Sequence, residues 1–459
     1  MSTVLVWTGV LGSLVTVLVL FSQRKRYLPV LMRPSSPLAE RLMRRLSTLQ
    51  RRDLRVPRSL WTRYQFAVAP YRFPAPSIEY SIVCLRANRN VADFCHVALT
   101  RGIVDKLRRG EMDGRAVDLV LIQPQFGGSS YSRPIRRLIN ELNKKGIPTA
   151  CLLQRDLPKY EYPYGVPPYR NSYLCHEDVY LAIEYLTLLA FKVHTMAAPM
   201  KEPLDEETLL HSIDLLPPLA PEEPHPPPTG KTFTVSIHIL GYSLGAMRIT
   251  HTLIDPELQG RLKDIGRRVQ QFLAPDYATI KVRLASAAFG YCTLDAMAPT
   301  RHPPSLQRSM ARFLIEHLQR DEKARSYILH HLSEKTSEPE AVLQRALSSG
   351  LLSDLDKHIS CTLYGFDDYV DYYRQLLPTG RIHLFDPSIP VLFVATNDDF
   401  ITGPVVYTEE IGTHPCSLGV VYNRGGHLGT LLSDGGDVTS KIMAEWVVGV
   451  RAESMDGEH

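Results

Sequence analysis

The pentapeptide Gly241-Tyr242-Ser243-Leu244-Gly245 constrains this chain more than any other stretch. It follows the β-rich run Thr232–Leu240 and leads into Ala246–Ile254, which reads as a helix. A strand that reverses into a helix over so few residues needs a tight, strained turn. A side chain at position 241 or 245 would collide with the neighbouring strand and helix, which is why glycine stands at both. Ser243 is then held above the strand end, hydroxyl exposed, with the following helix N-terminus beneath it. Gly-x-Ser-x-Gly arises by chance in roughly one chain in ten of this length, so the motif needs its context. The strand-turn-helix frame supplies it.

A serine held this way reacts only with a base and an acid to serve it, and both follow in chain order. Ile389–Thr396 reads as a buried strand, with Asn397-Asp398-Asp399 after it; Ser417–Tyr422 reads as another, followed by Asn423-Arg424-Gly425-Gly426-His427-Leu428-Gly429. A carboxylate after one strand and a histidine after the next lets imidazole bridge acid and nucleophile. Asp398 is the expected acid, because it stands fourth in Ala395-Thr396-Asn397-Asp398, where this arrangement usually carries it. Taken singly, an Asp-Asp pair or a glycine-flanked histidine is more often an ordinary turn. All three in order, each after its own strand, point to a Ser243-His427-Asp398 triad.

The triad also needs two N–H donors for the oxyanion. Leu244, directly after the serine, is expected to give one. Val117–Gln123 reads as a strand, and the loop Pro124-Gln125-Phe126-Gly127-Gly128-Ser129 after it is expected to give the other from Phe126. By itself that loop also suits a plain connection into the helix Arg133–Leu142.

With these elements the chain resembles the YheT-like branch of the α/β-hydrolases, which includes membrane-anchored esterases and phospholipases. Gly127-Gly128-Ser129 matches the end of that branch's His-Gly-x-x-Gly-Gly-Ser loop, although Pro124-Gln125 replaces its His-Gly opening. Residues 241–245 match its elbow, Asp356, Gly365-Phe366 and Asp371-Tyr372-Tyr373 fall in its order, and Gly425–Gly429 matches its histidine loop. Gln154-Arg155-Asp156 only echoes its Asn-Tyr-Arg-Gly element. The resemblance runs from about Ser77 to the C-terminus, apart from one insertion, and implies an α/β-hydrolase fold.

Seven cysteines without paired spacing, and no Cys/His cluster, lead us to expect a reducing compartment, no metal and no cofactor. Charge is distributed unevenly. The first sixty residues hold eleven Lys and Arg against Glu40 and Asp53, while the remainder is slightly acidic. No aromatic-and-basic motif accompanies those arginines, so nucleic acid is not an expected partner.

That basic head begins with Val4–Phe21, an uncharged apolar run just long enough to cross a bilayer. Arg24-Lys25-Arg26 follow it, whereas a cleavable signal peptide carries its positive charge before the apolar stretch. Residues 1–26 are therefore expected to be a signal anchor with the catalytic side in the cytosol, in the endoplasmic reticulum or outer mitochondrial membrane. Residues 27–58 are expected to be a basic membrane-proximal linker. Within it Leu38, Leu42, Leu46 and Leu49 share one helical face, suited either to anionic headgroups or to a solvated basic helix.

Residues 59–459 then read as one hydrolase domain. Alternation of short apolar strands with helices argues a mostly parallel, doubly wound sheet, with strands at 78–85 and 91–97 forming an antiparallel edge. Two insertions interrupt it. Residues 197–231, proline-rich and acidic, are expected to be disordered, a spacer or an SH3-like docking segment at the pole opposite the serine. Residues 293–375 are expected to form a helical cap, with helices at 306–319, 322–331 and 339–348. Met310, Phe313, Leu314, Leu318, Tyr327, Ile328 and Leu329 there suit either an acyl-chain channel or the packing of the cap.

The expected function is a membrane-anchored serine hydrolase of acyl esters, lipids among the candidates. Two other readings stand beside it: a hydrolase fold kept for docking after losing catalysis, and an acyltransferase that discharges the acyl-enzyme to an alcohol.

Overall fold

The computed structural model describes residues 29–31, 34–51, 54–55, 74–86, 94–111, 117–125, 128–154, 176–196, 205–217, 230–274, 276–292, 301–399, 401–403, 408–423, 425–428, 431–432 and 436–456. The chain opens with β1 (Pro29–Leu31), α1 (Pro37–Arg45), a 3-10 turn at Ser47–Gln50 and β2 (Leu54–Arg55). Then come β3 (Tyr80–Arg86), β4 (Phe94–Thr100), α2 (Ile103–Glu111), β5 (Val117–Gln123), α3 (Arg133–Lys144) and β6 (Thr149–Leu152). The middle holds α4 (Glu177–Met196), α5 (Glu206–His211), β7 (Lys231–Tyr242), α6 (Leu244–Leu253), α7 (Leu258–Leu273) and β8 (Tyr277–Gly290). A helical insertion follows with α8 (Pro304–Arg320), α9 (Glu322–Ser333), α10 (Pro339–Ser349), α11 (Leu352–Leu355), a π-turn at Asp356–Ser360, α12 (Cys361–Tyr364) and α13 (Tyr369–Leu376). Last come β9 (Val391–Thr396), α14 (Thr408–Ile411), β10 (Ser417–Tyr422), β11 (Leu431–Leu432) and α15 (Val438–Asp456).

Runs of Val, Ile and Leu make the inner strands, because a parallel strand covered on both faces has no position for a solvated side chain. β9 and β10 are buried at every residue. The nine-stranded sheet has the order β1-β10-β9-β8-β7-β5-β6-β4-β3. From β5 onward its inner strands are parallel, while β4 runs against both β3 and β6, and β1 runs against β10. This is the doubly wound, mostly parallel sheet with an antiparallel edge read from the sequence.

Helices cover both faces. On one, Ile183 and Leu186 of α4, Ile249 of α6 and Leu262 of α7 pack over the sheet with Ile103 and Leu107 of α2. On the other, Ile135 and Leu138 of α3 and Ile442 and Trp446 of α15 do the same. Helix α4 is apolar and long enough to cross a membrane by composition, but it is a core helix, mostly buried against the strands.

The basic segment 27–58 departs from the linker that composition suggests. β1 joins the main sheet, and Ala39 and Leu42 of α1, with Leu46 directly after it, are buried in the core against α15. Arg41 and Arg45 both bond Glu453, while Ser47 and Thr48 hydroxyls donate to Glu445. The leucine face is spent on protein packing, so it does not lie on headgroups. β2 then pairs β11. This N-terminal strap belongs to the domain. The apolar run 4–21 lies outside the described residues.

The proline-rich insertion is also only partly as expected. Residues 205–217 fold back: Leu209 and Leu210 are buried, and Glu206 accepts from the N–H groups of Gly102 and Val104. That contact lies at the end of β4 furthest from Ser243, the predicted pole. Residues 197–204 and 218–229 lie outside the described residues. The cap helices match the sequence periodicity to within a few residues. Leu314, Leu318 and Ile328 pack with Leu343 and Ile359 into the cap's own core, so for these three packing wins over an acyl channel.

Candidate active site

Ser243 terminates β7 and caps α6, with φ 50° and ψ −115°. Few L-residues occupy this region, and the cost is borne where a function is served. The flanking glycines permit it. A Cβ on Gly245 would stand 2.1 Å from the Gln123 carbonyl oxygen and 2.6 Å from that of Pro124, and one on Gly241 would meet Ala246 N at 2.7 Å. The Ser243 N–H donates to the Gly290 carbonyl at 2.8 Å, which fixes the turn on β8. The side chain is 8 % exposed, at the C-terminal end of the central strand.

His427 follows β10 in a loop whose backbone is turned by Gly425 (φ 154°), Gly426 (φ 60°) and Leu428 (φ 62°). It is 7 % exposed. Its Nδ1 lies 2.8 Å from Oδ2 of Asp399, not of Asp398. The acid chosen from sequence is thereby corrected by one position. The turn after β9 hydrogen-bonds Asp399 N to Thr396 O and sends the second aspartate inward, where its Oδ1 accepts from Ile401 N and Thr402 N at 2.9 and 3.0 Å. Asp398 instead accepts from Gly426 N at 2.8 Å and holds the histidine loop.

The two carboxyls are driven apart electrostatically. Burial works against charge on Asp399, but His427 and the hydrogen bonds from Thr402 outweigh it and hold its pKa below the usual carboxylate range. Burial raises Asp398, against the opposing N–H groups of Gly426 and Gly425. An ionised Asp399 only accepts, so Nδ1 of His427 carries a proton, and in the neutral ring the lone pair stands on Nε2. That is the tautomer a general base needs.

For the oxyanion, Leu244 N–H stands at the first position of α6, where backbone donors lack an intrahelical acceptor and the helix dipole is positive. Phe126 lies outside the described residues. What surrounds it is defined: Gly128 N–H donates to Gln125 O at 2.8 Å, and Gln154 Nε2 donates to both Pro124 O and Gln125 O, at 2.8 and 2.7 Å. Gln154, only an echo in the sequence motif, is the clamp on this loop.

Three further groups escaped the sequence reading because they join the site only in space. Tyr291, in left-handed backbone at φ 52°, sets its ring edge-on to His427 at 5.9 Å between centroids, and its hydroxyl accepts from Thr439 at 2.8 Å. Next to it, Tyr242 shares a 2.9 Å hydrogen bond with Ser440, which donates to the fully buried Asp437 at 2.6 Å. The N-terminus of α15 therefore braces the residue before Ser243 and the ring beside His427. His302 Nε2 lies 2.8 Å from Ile401 O and closes the back of the Asp399 turn.

Asp356 and Tyr373, separate elements of the family pattern, meet: the tyrosine hydroxyl donates to the buried carboxylate at 2.7 Å, and Ser360 donates to its other oxygen at 3.0 Å. Tyr372, Tyr373 and Leu376 pack on Leu244, which seats the cap on the elbow. Asp356 lies in a π-turn, a distortion that proteins concentrate near functional sites.

No family model matches the chain, and no curated protein matches it. Among solved structures it is similar to an esterase of Pyrococcus furiosus, at 12 % identity over 82 % of this chain and 89 % of that one, TM-score 0.34. It is similar to a Rhizomucor miehei esterase at 11 % identity, covering 86 % and 92 %, TM-score 0.38. A carboxyl esterase of Bacillus coagulans matches at 12 % identity, covering 82 % and 99 %, TM-score 0.37.

Proposed function

We propose that this protein is a serine ester hydrolase, held on a bilayer by residues 4–21, that cleaves acyl esters through a Ser243-His427-Asp399 triad. The observations that carry the reading are a strained, glycine-flanked Ser243 at the end of the central strand and a buried His427 whose Nδ1 lies 2.8 Å from Asp399, the contact that favours the general-base tautomer. Ser243 Oγ attacks the ester carbonyl carbon while His427 Nε2 takes its proton. Leu244 N–H, with Phe126 N–H as its partner, receives the negative oxygen. Collapse of the tetrahedral intermediate breaks the C–O bond, and His427 returns the proton to the departing alcohol. Water, deprotonated by the same imidazole, then releases the acid from the acyl-serine.

An eighteen-residue uncharged stretch followed by Arg24-Lys25-Arg26 supports an anchor with the catalytic side in the cytosol. Hydrolysis of p-nitrophenyl esters tests the chemistry: turnover by the wild type, lost by several orders of magnitude in Ser243→Ala and in His427→Ala, supports it. Equal turnover in all three proteins removes it. Retention in the pellet under alkaline carbonate tests the anchor.

A further inference from the structure

The chain enters the described fold at Pro29, opposite Tyr422 in the antiparallel pairing of β1 with β10. Tyr422 is the last residue of β10 and lies beside Thr396, the last of β9. The loops that leave these two residues carry His427 and Asp399. The N-terminal segment thus reaches the domain at the catalytic pole. Its attachment is firm, because β1 continues into a strap whose helix is buried against α15 and whose far end, β2, pairs β11 just after the His427 loop.

Seven residues, 22–28, separate the apolar run from Pro29. Fully extended they span about 25 Å. The opposite pole is further away than that. β7 runs from Lys231 to Tyr242, and Tyr242 is level with Gly290, Val394 and Val420, two residues short of Tyr422. Pro29 therefore stands roughly 40 Å above the Lys231 end of the sheet at about 3.3 Å per residue. A domain resting on its Lys231 pole would need a tether longer than the one the sequence provides.

Resting on the hydrolase and anchor readings above, we propose that the catalytic pole is the membrane-facing surface, and that the substrate is an acyl ester resident in the same bilayer. Arg24, Lys25 and Arg26 directly follow the apolar run in sequence, and cations beside a membrane segment are favoured on an anionic leaflet. An ester too apolar to cross water then needs to travel only the tether's reach to Ser243.

The test uses the full-length protein in vesicles of phosphatidylcholine with phosphatidylserine. A photocrosslinking amino acid is placed at Asn423, exposed at the catalytic pole, or at Lys281, exposed at the other. Lipid adducts at 423 and not at 281 are expected; adducts at 281 alone, or equally at both, overturn the proposal, as does failure of the protein to partition with the vesicles. In a second arm, forty Gly/Ser residues are inserted between Arg26 and Pro29. Turnover of a long-chain ester in the vesicles should fall more than ten-fold, as effective concentration drops with about the −3/2 power of tether length, while turnover of a soluble short-chain ester is unchanged. Equal rates on the vesicle ester overturn it. If Ser243 proves unreactive while adducts still form at 423, the hydrolase reading fails and the orientation stands.

Discussion

Replacing Asp399 by asparagine is the perturbation that separates the structure from the sequence pattern. The side chain keeps its size, and its amide oxygen can still accept from Ile401 N and Thr402 N. What changes is the atom facing His427, now an NH2 group 2.8 Å from Nδ1. Nδ1 must then accept, the proton moves to Nε2, and the lone pair that deprotonates Ser243 is gone. A wrong tautomer of this kind costs about 10⁴ in kcat, or about 5 kcal/mol of transition-state stabilisation. Asp398→Asn keeps an acceptor for Gly426 N and touches no ring atom, so a loss under about ten-fold is expected. The assay is steady-state hydrolysis of a p-nitrophenyl ester at pH 8 by both variants, with circular dichroism to check folding. Near-wild-type turnover in Asp399→Asn, with collapse in Asp398→Asn, would refute the assignment.

Gly245→Ala puts a methyl group 2.1 Å from the Gln123 carbonyl oxygen, and backbone has little freedom to yield. Urea titration should show a loss of about 1–3 kcal/mol with kcat down at least a hundred-fold, and a variant of normal activity would count against the strained elbow. Tyr291→Phe and Thr439→Val each remove the hydrogen bond that braces the ring against His427. Each should lower kcat about ten-fold at unchanged KM, whereas unchanged kcat would reduce Tyr291 to filler. Burial raises Asp356 to about 6, against hydrogen bonds from Tyr373 and Ser360. The folded state therefore keeps a proton that the unfolded chain releases, and stability falls as pH rises from about 4 to about 6, by on the order of 3 kcal/mol. Asp356→Asn should flatten that slope in urea titrations at pH 4.5 and 7, compared with wild type so that the oppositely signed Asp399 contribution cancels. An unaltered slope contradicts it.

The strands that carry the site are legible because they are long apolar runs with distinct ends: 117–123 falls where the sequence puts it, and 391–396 begins within the Ile389–Thr396 run, just past Pro390. β8 runs for fourteen residues, and its second half is not legible as strand, since Ser286-Ala287-Ala288-Phe289-Gly290 lacks β-branched residues and is held by packing on both sides. Ser243 and His427 were legible from glycines that only special backbone requires. Asp398 and Asp399 are chemically identical neighbours, and the choice between them rests on which way one turn rotates after β9. No local pattern encodes that rotation. The strap failed for a related reason: the period of Leu38, Leu42 and Leu46 announces an apolar face but not its partner, and α15 lies some four hundred residues away. Gln154 and Tyr291 act on the site through contacts between loops of different strands, which a linear motif leaves unordered.

The central claim is that Ser243 is a nucleophile activated by its setting. Incubating the purified wild type with a fluorophosphonate probe, then mapping the adduct by peptide mass spectrometry, tests that without assuming a substrate. We predict one phosphonylated peptide, modified at Ser243, with labelling abolished in Ser243→Ala and strongly slowed in His427→Ala and Asp399→Asn. An unlabelled wild type, or a label carried by another residue and retained in Ser243→Ala, would contradict the account.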